Sequence, residues 1–178
     1  PCQILSDIFT LYEHYGENMN DLKIAYVGDG NNVCNTLMVG AGMFGLKLFV
    51  ATPEGYEPNA NYYKKALEFT IESGGKVEVT NDPIEAVKDA DIVYTDVWVS
   101  MGEEGKSVDV FLPYQVNEKL LSNAKDSVRV MHCLPAKKGQ EITEDVFEKN
   151  AEFIFTQAEN RLHTQKVLME FLFREPQV

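Results

Sequence analysis

Lys23-Ile24-Ala25-Tyr26-Val27-Gly28-Asp29-Gly30-Asn31-Asn32 is the stretch on which the fold turns. A short apolar run enters a Gly-Asp-Gly turn. Beyond it Val33, Leu37, Ala41 and Phe44 recur at helical spacing until Gly45 stops them. Strand, tight turn and helix in that order begin a βαβ unit, and the unit repeats downstream. Residues 46–51 predict a second strand and 62–73 a helix ended by Gly74-Gly75. A third strand is expected over 77–80, and Asn81 or Asp82 then caps a helix with Pro83 in its first turn. Further strands are expected over 92–95 and 128–131, a weaker sixth over 152–155, and a last amphipathic helix from about 160 to 173. Upstream, Ile4, Ile8, Leu11, Tyr12 and Tyr15 share one face of a first helix that Gly16 terminates. This alternation predicts a three-layer α/β/α, doubly wound, mostly parallel sheet of Rossmann-like type with right-handed crossovers.

The 178 residues suffice for one domain spanning 1–178, with no repeat, linker or low-complexity tract to divide it. A formal charge of -12 repels phosphate backbones and argues against nucleic-acid binding. Charges and glycines interrupt the apolar runs before any reaches membrane-spanning length, and no signal peptide opens the chain. Cys2, Cys34 and Cys133 are odd in number and far apart, which points to free thiols and a cytoplasmic location. The chain enters a periodic helix directly at Pro1-Cys2-Gln3, which is expected of a piece of a longer protein.

In an open parallel sheet, ligands bind beyond the carboxyl ends of the strands. A dinucleotide is disfavoured there. Val33 stands where a third glycine is needed, and the second strand ends in Ala51-Thr52-Pro53 without a carboxylate for a ribose. Asn31 reads as a simple helix cap, whereas Asn32 at the same N-terminus can meet an anionic group. Asp96 ends the fourth strand, where a carboxylate can pair with a substrate ammonium. Residues 100–110 contain Gly102 and Gly105 and form a loop long enough to close as a lid.

His132-Cys133-Leu134-Pro135 ends the fifth strand. Neighbours on a strand end point apart and no further ligand has metal spacing, so no metal is expected. Pro135 is expected to follow a cis bond, which would aim the Leu134 carbonyl and the Cys133 side chain into the crevice. Glu159-Asn160-Arg161 is expected to open the last helix. A cation there opposes the helix dipole and needs a task, such as holding an anion or polarising a carbonyl.

Taken in order, Pro1-Cys2-Gln3, Gly28-Asp29-Gly30-Asn31-Asn32, Asp96 with Ser100-Met101-Gly102, His132-Cys133-Leu134-Pro135 and Glu159-Asn160-Arg161 resemble the ornithine carbamoyltransferases from end to end. The resemblance implies the ornithine-binding domain of an enzyme of arginine metabolism and the urea cycle. That enzyme makes citrulline and phosphate from ornithine and carbamoyl phosphate, with no cofactor. It implies ornithine binding by Asn32, Asp96, Ser100 and Met101, with Asp96 taking the α-ammonium. Carbamoyl phosphate would be met by Gln3, Cys133, Leu134 and Arg161, and Cys133 and Arg161 would be catalytic, Cys133 holding or helping to deprotonate the amine. The family's His before Pro1 and its Ser-x-Arg-Thr phosphate loop are not in this chain, so the chain alone is expected to be inactive. The full-length protein is expected to be a trimer-based homo-oligomer. Its carbamoyl-phosphate domain would cover the apolar stripes of the first and last helices, leaving them partly bare here. A carbamoyltransferase for another amine, such as putrescine, and a non-catalytic amino-acid-binding module are the alternatives.

Overall fold

A computed structural model describes residues 1–99 and 107–174. Five strands, β1 (Lys23–Val27), β2 (Lys47–Ala51), β3 (Lys76–Thr80), β4 (Ile92–Thr95) and β5 (Arg129–His132), form one sheet in the order β3-β2-β1-β4-β5. All four pairings are parallel. Among the described residues seven α-helices cover it: α1 (Cys2–Tyr15), α2 (Asn32–Phe44), α3 (Ala60–Ser73), α4 (Pro83–Val87), α5 (Glu118–Leu121), α6 (Glu144–Lys149) and α7 (Ala151–Phe173).

Strand alternation distributes the core between two layers. Ile24, Tyr26, Leu48, Val50, Ile92, Tyr94 and Met131 face Ile4, Ile8, Leu37, Met38 and Ala66 of α1, α2 and α3. Ala25, Val27, Val93 and Val130 face Ala86, Leu120, Val146 and Phe147 of α4, α5 and α6. Helix α7 contributes to both layers through Phe153 and Ile154. A parallel sheet buried on both faces must be apolar at nearly every position, and β4 is buried throughout.

The weak sixth strand is a correction. Residues 152–155 lie in the first turn of α7, a single helix of 23 residues. The apolar run Phe153-Ile154-Phe155 is too short to have a period of its own, and its β-branched and aromatic content favours a strand. In space, Phe153 and Ile154 are buried while Glu152 and Phe155 are exposed, a helical distribution. Consequently Arg161 does not open the last helix but sits near its middle, where the dipole exacts no cost.

Strand order reverses between β1 and β4: the chain winds outward through β2 and β3 on one side and through β5 on the other. The helices that follow β1 and β4 therefore diverge, and a crevice opens beyond those two strand ends. Glycine makes the approach possible. A Cβ on Gly30 would stand 2.4 Å from the Pro58 nitrogen and 2.5 Å from the Glu57 carbonyl carbon. No helix among the described residues is long and apolar enough to cross a membrane.

Candidate functional site

Above β1, β4 and β5 lies a cavity of about 600 Å³. Its walls bring together Gln3 from α1, Asn32 from the start of α2, Asp96 after β4, Cys133 and Leu134 after β5, and Arg161 from α7. These are all the expected site residues that fall among the described ones. Ser100 and Met101 lie outside the described residues, as does most of the expected lid.

Asp96 is the best-engaged group. It is 5% exposed, and its Oδ1 accepts from the Val97 amide at 2.8 Å and from the Cys133 thiol at 2.9 Å. Its Oδ2 accepts from Asn31 Nδ2 at 2.8 Å. Asn31 is the expected cap, receiving the Val33 and Cys34 amides at 2.9 and 3.1 Å, and it is also the residue that orients Asp96. A carboxylate has about four lone-pair sites. The three donors among the described residues leave one such site, the capacity needed to receive an ammonium.

The cysteine turn is held from behind. His132 is fully buried behind the cavity wall, and Cys133 is one of the residues that line the cavity. The His132 Nδ1 accepts the Leu134 amide at 2.9 Å, and Nε2 lies 3.2 Å from Oε1 of the buried Glu141. With Nδ1 accepting, the proton belongs on Nε2 and is donated to Glu141. The same carboxylate oxygen receives the Lys137 amide. Leu134 has φ 56°, a left-handed setting that costs an L side chain about 1–2 kcal/mol, and the bond to Pro135 is cis as expected.

Burial pushes the Cys133 thiol well above its ordinary range, and the Asp96 charge beside it adds to the effect. Cys133 is therefore a neutral thiol that donates to Asp96, and a resting thiolate base has no support here. Asp96, His132 and Cys133 place ligand atoms within 4.8 Å of one another, the grouping among the described residues that most suggests a metal. Both imidazole nitrogens and the thiol proton already have partners, so an ion would have to displace existing hydrogen bonds.

Several contributors were not read from the sequence. Cys2, Val33, Val97, Val99 and Lys137 also line the cavity, and Glu141 orients His132. Lys137 had a signal, a cation just past the cysteine turn. Glu141 had none, since nothing local links it to His132.

Fold and site position place the chain among the doubly wound α/β domains that bind a small ligand where the strand order reverses. Sequence comparison narrows this. The chain belongs to the aspartate/ornithine carbamoyltransferase family: the model of that family's Asp/Orn binding domain matches residues 20–172. It is 84% identical over 177 residues to the ornithine carbamoyltransferase of Aquifex aeolicus, and 52% identical over 177 residues to that of Methanocaldococcus jannaschii. These alignments take in 99% and 97% of the chain, which spans 58% of each relative's length. The anabolic ornithine carbamoyltransferase of Campylobacter jejuni superposes with a TM-score of 0.90 at 38% identity, covering 97% of this chain and 58% of that one. The Pyrococcus furiosus enzyme gives 0.87 at 46% identity, covering 95% and 55%.

Proposed function

We propose that this chain is the ornithine-selecting half of an ornithine carbamoyltransferase, which forms citrulline and phosphate from ornithine and carbamoyl phosphate once the companion domain is present. The observation that carries the reading is Asp96. It is a buried carboxylate with room for one more donor, in a cavity shared with Asn32, Cys133, Leu134 and Arg161. Asp96 would take the α-ammonium and Asn32, at a helix N-terminus, the α-carboxylate. Ser100 and Met101 would complete that pocket.

Attack on the carbamoyl carbon needs a neutral δ-amine, and an alkyl ammonium has a pKa of about 10.4 in water. Lowering it by two units corresponds to about 2.7 kcal/mol. Removal from water and the nearby Arg161 charge both act in that direction. The neutral thiol of Cys133 suits holding the amine rather than removing its proton. Gln3, Leu134 and Arg161 would orient and polarise the carbamoyl group as the tetrahedral centre forms.

The same reading makes the bare outer faces of α1 and α7 the seat of the carbamoyl-phosphate domain. A trimer-based assembly rests on the family resemblance alone and a cytoplasmic location on the three free cysteines, and sedimentation of the full-length protein tests the first.

Calorimetry of the 178-residue chain with ornithine and with putrescine, paired with citrulline formation by the full-length enzyme, tests the amine. Turnover of ornithine that Asp96→Asn lowers at least 100-fold is expected. Equal turnover of putrescine would move the assignment to another amine.

A further inference from the structure

One buried carboxylate lies outside the mechanism above yet holds one residue of the cavity wall, Gln3. Asp7, on the inner face of α1, is 1% exposed. Its Oδ1 accepts from Gln3 Nε2 at 2.8 Å and from Gln157 Nε2 at 2.7 Å, and its Oδ2 accepts from the Tyr94 hydroxyl at 3.0 Å. Gln157 passes the constraint on, since its Oε1 receives the His132 amide at 2.9 Å, one residue before Cys133. Gln3 is one helical turn before Asp7 and lines the ligand cavity.

A primary amide has a donor end and an acceptor end. An ionised carboxylate accepts only, so it selects the Gln3 rotamer in which Nε2 points inward to Asp7. The acceptor end, Oε1, receives nothing from a described residue and is left for the cavity. With one Nε2–H committed to Asp7, Gln3 can turn its oxygen to the cavity, where it complements an NH₂ group rather than a phosphate oxygen. A protonated Asp7 would lose this selectivity, because its new O–H can donate to the Gln3 oxygen instead.

We propose that Asp7 is a positioning residue: its ionised carboxylate fixes the sense of the Gln3 amide so that Oε1 receives the NH₂ of a carbamoyl-bearing substrate, and protonation of Asp7 releases that amide. The inference rests on the carbamoyltransferase reading given above. Burial raises the Asp7 carboxyl to about 6, and the hydrogen bonds from Gln157, Gln3 and Tyr94 and the Arg161 charge pull it back only in part. The groups facing it are Tyr94 from β4, Arg161 from α7, and the Cys133 thiol beyond β5, which feels its charge. Arg161 is the cation among them.

The test is steady-state kinetics of the full-length enzyme with carbamoyl phosphate varied between pH 5.5 and 8, comparing wild type, Asp7→Asn, Gln3→Ala and the double variant. Taking the ratio of variant to wild-type KM at each pH removes the substrate's own titration. At pH 7.5 Asp7→Asn should raise KM about tenfold, the loss of roughly one oriented hydrogen bond, with a smaller change in kcat. Wild-type KM should climb as pH falls through about 6, and both single variants should lack that climb. The double variant should be no worse than Gln3→Ala, because Asp7 acts through Gln3. An Asp7→Asn enzyme with wild-type KM and pH profile overturns the proposal, as do additive effects in the double variant. If Asp7→Asn does not fold, Gln3→Ala decides: a wild-type pH profile in that variant overturns the proposal, and a flattened one supports it. Wild-type enzyme that makes no citrulline at any pH sinks the functional reading instead, whereas an active wild type with unaffected variants sinks only the role of Asp7.

Discussion

Two buried acidic side chains show where the cost of a buried charge falls. Asp96 is surrounded by donors, and the cost of its charge falls on Cys133, whose thiol is driven up. Removing that charge should reverse part of the effect. Asp96→Asn is expected to speed alkylation of Cys133 by iodoacetamide at pH 8 by about tenfold, one pKa unit of thiolate, followed by mass spectrometry of the Cys133 peptide. An unchanged rate would mean that burial alone controls the thiol. Asp7 bears its cost itself, with a folded-state pKa near 6 against a reference of 3.8. Its sign is opposite to that of a salt-bridged carboxylate. Between these values the folded state binds more protons than the unfolded state, so this group favours folding at low pH and loses that contribution as pH rises through about 6. A shift of two units corresponds to about 3 kcal/mol. Urea unfolding at pH 5 and 7 should show wild type gaining stability relative to Asp7→Asn as the pH falls. A constant difference would show that the folded and unfolded carboxyls titrate alike.

At the scale of elements, α2 and α3 meet through a glycine. A Cβ on Gly42 would stand 2.5 Å from the Ala66 carbonyl oxygen, and the Gly42 carbonyl itself accepts from Ser73 Oγ at 2.6 Å. The neighbouring atom is helix backbone, so the helices must move apart to admit a methyl group. Gly42→Ala should therefore lower unfolding free energy by about 1–3 kcal/mol, read from the urea midpoint at unchanged slope. A cost below 0.5 kcal/mol would mean that α3 shifts freely. No sequence pattern marked that glycine, because helix-helix proximity is a tertiary fact. The β strands were legible because burial on both faces leaves nearly continuous apolar runs bounded by turn residues, and the cavity followed from where those runs end. Residues 152–155 misled because a short apolar run fits a buried strand or the first turn of a helix equally well. Asn31 was read correctly as a cap, but its amide nitrogen also reaches Asp96, a contact 65 residues away in sequence. Gln3, Asn32, Asp96, Cys133, Leu134 and Arg161 came from the order of motifs. The residues that hold them, Asp7, Gln157 and Glu141, have no local signature.

Across the whole molecule, α1 and α7 lie side by side, joined by Asn160 Nδ2 donating to Thr10 Oγ1 at 3.0 Å and by Ser6 Oγ donating to the Gln157 carbonyl at 3.0 Å. The joined surface is well buried, but its outer edge is not. Leu5 and Phe9 of α1 with Val167, Leu168 and Phe171 of α7 line an open apolar groove of about 360 Å³. Phe171 is 74% exposed, and Leu162, Leu172 and Phe173 are exposed beside it. A patch of this kind on an otherwise acidic chain is where the proposed companion domain would sit. Substitution there should then have opposite consequences in the two contexts. In the 178-residue chain, Val167→Glu or Phe171→Glu should change unfolding free energy by less than about 0.5 kcal/mol, since little buried contact is lost. In the full-length enzyme the same changes should bury an unpaired carboxylate at the domain junction and cost about 2 kcal/mol or more, with reduced citrulline formation. Equal, small effects in both contexts would place the companion domain elsewhere. A large loss in the 178-residue chain would mean that α7 is held by this chain alone more tightly than its exposure indicates.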